Sequence, residues 1–158
     1  MIEIVKVSGQ EIDKNKILFR DSIEFRSITA LITTPCKYYI SWSSDNINPE
    51  VEELGNTNYD IIAVDHFYAL INRTDCNDVI VGFSRNFFIR FYNIDLYLLL
   101  IFELEIHLFK KGANDLQFII VLPDIYSSIQ YDSINNIVEV TTICDELVKY
   151  DITHRVYL

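Results

Sequence analysis

Glu103, Glu105 and His107 are the closest grouping of side chains able to do chemistry in this chain. Alternate residues of a strand project from one face, so extended backbone would place two carboxylates and an imidazole in a row. Such a row could bind a divalent metal or divide acid and base duties in a small hydrolytic enzyme, once distal ligands and a substrate pocket are supplied. A solvated strand face accounts for the same residues without any chemistry. A nuclease is the poorer match, because no lysine follows either glutamate at alternating spacing and a polyanionic surface opposes nucleic acid.

Asp65 and His66 are the second grouping, a carboxylate beside an imidazole that could lend donors to such an enzyme. Adjacent residues of a helix do not face one another, so on a helix the two form no dyad of their own. The three cysteines, Cys36, Cys76 and Cys144, are odd in number and never in a C-x-x-C pair. That spacing suggests neither a disulfide framework nor a zinc knuckle, and it fits a reducing cytosol. With glycine only at positions 9, 55, 82 and 112, there is no G-x-G-x-x-G and no Walker-type loop. Lys110-Lys111 is the only adjacent basic pair. No cofactor, no metal and no direct nucleic-acid binding are expected.

Charge gives the stronger lead. The 158 residues carry 23 Asp and Glu against 13 Lys and Arg, a formal net charge of -10, although half of the chain is hydrophobic. The surface must carry that excess, which repels nucleic acid and anionic membrane and attracts basic partners. The candidate partner-binding residues are Asp45, Glu50, Glu52 and Glu53 in one segment and Asp124, Tyr126, Tyr131, Asp132, Asp145 and Glu146 in the last third. Tyrosines among carboxylates resemble the aromatic anchors of binding hot spots. The expected function is therefore an acidic cytosolic protein that neutralises a basic partner, such as an immunity protein or antitoxin occluding the active site of a nuclease toxin. The alternatives are the metal-dependent enzyme and a subunit of a larger assembly.

The elements expected to position these residues form an α+β fold. It is a single globular domain over residues 1-158, with a mostly antiparallel sheet built from hairpins and two or three helices packed on it. Strands are expected at Ile2 to Val7, ended by Ser8-Gly9, and at Tyr38 to Trp42, with a turn around Thr34-Pro35 and extended backbone in the second half of Ile23 to Ile32. Asn48-Pro49 with Glu50, Glu52 and Glu53 reads as a capped helix start, ended by Gly55. A second helix is expected from about Asp60 to Asn72, and a short one from Thr142 or Cys144 to Tyr150. Val79 to Phe83 and Phe87 to Tyr92 read as a hairpin around Ser84-Arg85-Asn86. Leu100 to Phe109 alternates as a strand and pairs with Leu116 to Leu122 through Lys110 to Asp115, while a helix from Leu96 to Phe109 is the rival reading. Ile125 to Tyr131 and Ile137 to Thr142 form a further hairpin, and Thr153 to Leu158 is extended. No internal repeat is visible.

Met1 to Val7 carries Glu3 and Lys6 and no cleavage site, so no signal peptide is expected. The apolar stretch Phe87 to Phe109 contains Arg90, Asp95, Glu103, Glu105 and His107. Its uncharged core, Leu96 to Phe102, is far short of the roughly 20 residues that cross a bilayer. The sequon Asn72-Arg73-Thr74 is read as a chance match without export.

Overall fold

A computed structural model of the chain describes residues 2–7, 13–20, 28–33, 36–44 and 47–158. Ser8-Gly9, the Thr34-Pro35 turn, the part of Ile23 to Ile32 before Ile28, and Asp45 lie outside the described residues. Among the described residues the fold is all β, with sixteen strands and one three-residue 3-10 turn at Lys14–Lys16. This overturns the expected α+β class with its packed helices.

The chain forms two compact units, Met1–Arg85 and Asn86–Leu158. In the first unit, β1 (Glu3–Val7), β2 (Ile17–Arg20), β3 (Ile28–Thr33) and β4 (Lys37–Trp42) make a sheet in the order β1-β3-β4-β2. The order departs from the chain order because β2 returns to pair parallel with β4, Ile17 opposite Tyr39. The second sheet of this unit is a plain antiparallel meander of β5 (Glu50–Glu53), β6 (Tyr59–Val64), β7 (Phe67–Asn72) and β8 (Val79–Phe83). Ile32, Ile40 and Trp42 from one sheet and Ile62, Ala69 and Ile71 from the other fill a common core. Trp42 is fully buried, and its indole N–H donates to the Ile47 carbonyl at 2.9 Å, which removes the cost of burying the donor.

The second unit holds two more meanders. One comprises β9 (Phe88–Asn93), β10 (Tyr97–Phe102), β11 (Glu105–Lys110) and β12 (Leu116–Val121). The other comprises β13 (Tyr126–Asp132), β14 (Ile137–Thr142), β15 (Leu147–Asp151) and β16 (Val156–Tyr157). Their shared core joins Leu99, Ile101, Ile106 and Leu108 to Ile129, Val138 and Val140.

The three meanders are copies of one unit, contrary to the absence of repeats expected from the sequence. Their first strands begin at Glu50, Phe88 and Tyr126, a spacing of 38 residues in both intervals. The same backbone bonds recur in them. The residue after the third strand donates to the residue before the second: Arg73 to Asn58 at 2.7 Å, Lys111 to Leu96 at 2.8 Å, Ile152 to Asn136 at 3.0 Å. The residue after the second strand donates to the one before the first, Glu103 to Phe87 at 3.0 Å and Ile143 to Ile125 at 2.9 Å. Ser84 to His66 and Leu122 to Leu104, both at 2.8 Å, link the fourth strand to the start of the third. These bonds satisfy turn groups that would otherwise be stranded at the sheet ends.

Each expected helix has a specific replacement. Asn48-Pro49 leads into β5, an edge strand whose glutamates fit the usual protection of an exposed edge by charge. Asp60 to Asn72 is the β6–β7 hairpin turning at Asp65 and His66, and Asp65 adopts a left-handed φ of 50°. Cys144 to Tyr150 is a turn followed by β15. The expected hairpin around Ser84-Arg85-Asn86 is absent, because β8 and β9 belong to different sheets. Leu96 to Phe109 is neither a helix nor one strand: it folds back at Glu103 and Leu104 into the β10–β11 pair, and β11 then pairs with β12. The β13–β14 hairpin forms with Asp132 opposite Ile137.

Candidate functional sites

The row of Glu103, Glu105 and His107 does not assemble. Glu103 follows β10 at the turn, and its carboxylate accepts a hydrogen bond from the Phe87 N–H at 3.4 Å. Glu105 and His107 share a face of β11, with Glu105 Oε1 3.2 Å from His107 Nε2. His107 is 2% exposed and packs against Phe102 with ring centroids 4.8 Å apart. Burial lowers its pKa, against the opposing pull of the Glu105 hydrogen bond and charge. What remains is a buried neutral imidazole beside the Glu105 carboxylate. Among the described residues no group of three or more His, Cys, Asp or Glu side chains is arranged to hold a metal ion.

Asp65 occupies the same place in its meander as Glu103, directly after the second strand. It is fully buried, and its Oδ2 accepts the N–H groups of Ser43 at 3.0 Å and Ser44 at 3.2 Å. Its role is thus a tie between the turn and the segment leading to β5. The third meander has Ile143 at this position, 58% exposed.

The cysteines correct a sequence expectation. Cys36 and Cys76 are joined by a disulfide with Cα atoms 5.6 Å apart, in the usual range for such bridges. The bond connects the entry to β4 with the β7–β8 loop, and Tyr38 Oη donates to the Cys76 carbonyl at 2.7 Å beside it. An open cavity of about 700 Å³ lies along this bridge, lined by Lys16, Lys37, Tyr38 and Asn77 among others; among the described residues no carboxylate or imidazole enters its lining. Cys144 is free and exposed. A hydrogen bond to Asp124 and that carboxylate's charge push its thiol pKa up, with burial, Glu146 and Asp145 adding to the rise. A thiol so placed is a weak nucleophile.

The candidate partner-binding residues divide. Glu53 faces Asp60 across the β5–β6 pair, and Arg73 sits between them, 3.4 Å from Glu53 and 3.7 Å from Asp60. Burial raises the Asp60 pKa, Arg73 pulls it down, and Glu53 raises it again. Arg73 also donates to the Thr57 carbonyl at 2.7 Å, so this guanidinium is committed to holding the turn and two carboxylates. Glu50 is exposed on the same edge strand, with Glu52 half-buried. Asp132 accepts from the Ile134 and Asn135 N–H groups, and Tyr131 Oη donates to Asn136 Oδ1 at 2.6 Å. Both therefore build the β13–β14 turn, and the bonds from Asn135 hold the Asp132 carboxyl below its ordinary range. Tyr126 is buried in the core of the second unit. Asp124, Asp145 and Glu146 lie at the opposite end of the same sheet from Asp132, since β13 and β15 run from one end to the other.

Sequence reasoning overlooked Glu103, Leu104, Ile125, Ile143 and Leu147 as companions of those three acids. The 38-residue spacing was the available signal, because it makes Glu103 and Ile143 equivalent positions. Fold and bonding together define a class: an all-β protein with a repeated four-stranded meander. No known protein-family model matches the chain, and no curated protein matches it. No helix among the described residues is long and apolar enough to cross a membrane.

Proposed function

We propose that this chain is an acidic binding protein that neutralises a basic protein partner, in the manner of an immunity protein or antitoxin that covers the active site of a nuclease toxin. The observation that carries the reading is a net charge of -10 combined with turn carboxylates, Asp145 and Glu146 foremost, that have no basic partner among the described residues. Such charge accelerates encounter with a cationic surface, so salt should weaken binding mainly through the association rate. The enzyme alternative loses support from the separation of Glu103 from His107 and from the burial of that imidazole.

The test is growth rescue. The product of the reading frame immediately upstream is expressed in a bacterium with and without this chain. Toxicity that this chain relieves, with co-purification at low salt, supports the reading; a neighbour that is harmless or not rescued removes it.

An inhibitor of this type acts in the cytoplasm, whereas the Cys36–Cys76 bridge is the state expected of an oxidising compartment. Trapping thiols in intact cells decides between them: alkylation of all three cysteines supports the cytoplasm, and alkylation of Cys144 alone contradicts it.

A second reading, a subunit of a larger assembly, is favoured by β8, an edge strand whose Ile80, Val81 and Phe83 are 41%, 45% and 68% exposed. Apolar edges of this kind invite pairing with another chain. Stability that rises with protein concentration would support it.

A further inference from the structure

The turns at one end of the second unit are stitched into a single surface. Leu122 N–H donates to the Leu104 carbonyl at 2.8 Å, Tyr126 to Glu103 at 2.7 Å and Ile143 to Ile125 at 2.9 Å. This brings the β10–β11 turn, the segment between β12 and β13, and the β14–β15 turn side by side. Four large apolar side chains are exposed on these turns and the start of β15: Leu104 at 36%, Ile125 at 38%, Ile143 at 58% and Leu147 at 54%. Together they expose on the order of a few hundred Å², the size at which an apolar patch marks a binding surface. Glu103, Asp124, Asp145 and Glu146 stand among them, and among the described residues no lysine or arginine pairs with any of the four. Lys149, two residues beyond Leu147, is engaged by Glu139.

We infer that this end of the second unit is the docking surface, and that its occupant is a protein segment presenting lysine or arginine alongside apolar side chains. The inference rests on the basic-partner reading above and specifies where and by what chemistry the partner is held. Charge complementarity selects the occupant. An anionic or polyphosphate ligand would meet four carboxylates, and a second copy of the same end would juxtapose like charges. Apolar contact supplies what the exposed acids alone cannot, because ion pairs at a wet rim add little.

The probes are a short lysine peptide with leucine at every third position and an all-lysine peptide of equal length, each titrated into the full chain at low salt and followed by backbone NMR shifts. The leucine-bearing peptide should bind about tenfold more tightly, with shifts confined to residues 103–104, 122–126 and 143–147. Ile143→Ser with Leu147→Thr should abolish that preference and leave weak all-lysine binding. Asp145→Asn with Glu146→Gln should weaken both. Shifts centred on residues 132–136 and 151–155, or equal affinity for both peptides, overturn the docking surface and leave the basic-partner reading in place. Failure of both peptides to bind overturns the reading itself. Self-association through residues 143–147 without peptide would replace the partner by a second copy and overturn the assignment.

Discussion

The two units hold their sheets together by different means. In the first, β2 leaves the chain order and pairs parallel with β4. There the Cys36–Cys76 bridge links one sheet to the other, and buried Asp65 ties the β6–β7 turn to Ser43 and Ser44. In the second, both sheets follow the chain order, the only cysteine is Cys144, and backbone bonds between neighbouring turns do the corresponding work. Local pairing brings hairpin partners together at little entropic cost, whereas a strand that returns from elsewhere in the chain must close a larger loop. The irregular sheet occurs in the unit with the covalent bridge and the buried Asp65 tie. In the regular pair, Asp132 closes its own turn, whereas Asp145 and Glu146 have no basic partner among the described residues.

The sharpest way to break this contrast is to remove the bridge. A 40-residue separation corresponds to about 4 kcal/mol of loop entropy in the unfolded chain. Cys36→Ser with Cys76→Ser should lower the stability of the first unit by that order in urea unfolding, while hydrogen exchange in β10, β11 and β14 stays as it was. Equal loss of protection in both units would show that they do not differ as described. Next in size is the pair of equivalent turn acids. Asp65→Ala deletes two bonds from part-buried N–H groups to a fully buried carboxylate and places alanine at a positive φ, for a loss of about 3 kcal/mol. Glu103→Ala removes one long, half-exposed bond and should cost less than about 1 kcal/mol by the same measurement.

A smaller effect distinguishes the second unit by pH. Burial depresses the folded pKa of His107 below its unfolded value, so the imidazole is neutral in the fold. Its contribution is fully present above the unfolded pKa of about 6.5 and is lost as pH falls from there towards the folded pKa, because the unfolded chain then binds the additional proton. The slope cannot exceed about 1.4 kcal/mol per pH unit for this one group. Urea midpoints between pH 7.5 and about 5 should fall in the parent protein and flatten in His107→Gln.

Much of the β content was legible where one face is buried. In β14, Val138, Val140 and Thr142 are buried while the residues between them are half-buried, and that period marks the chain as extended. The failures have physical causes. Every residue from Tyr59 to Val64 is buried, so β6 has no polar face and its apolar residues satisfy a helical period as readily as a strand period. Asn48-Pro49 followed by glutamates is equally suited to a helix start and to a charged edge strand. The repeat was hidden because its turns differ in length: five residues lie between β5 and β6, three between β9 and β10, four between β13 and β14. The site was legible only in part. Asp124, Asp145 and Glu146 are recognisable as acids in sequence, but only the pairing of the strands separates them from Asp132 and unites them with Glu103 and Ile143. The disulfide was unreadable because strand pairing, and not cysteine spacing, brings Cys36 to Cys76.

The central claim is that Asp65 in the first unit is a structural tie while Asp145 and Glu146 at the end of the second are available to bind. A single urea series comparing Asp65→Ala with Asp145→Asn/Glu146→Gln tests it most directly. The account predicts a large drop in midpoint for the first variant and an unchanged or slightly raised midpoint for the second, where like charges are relieved. A comparable drop in both would contradict it, because Asp145 and Glu146 would then be holding the fold together.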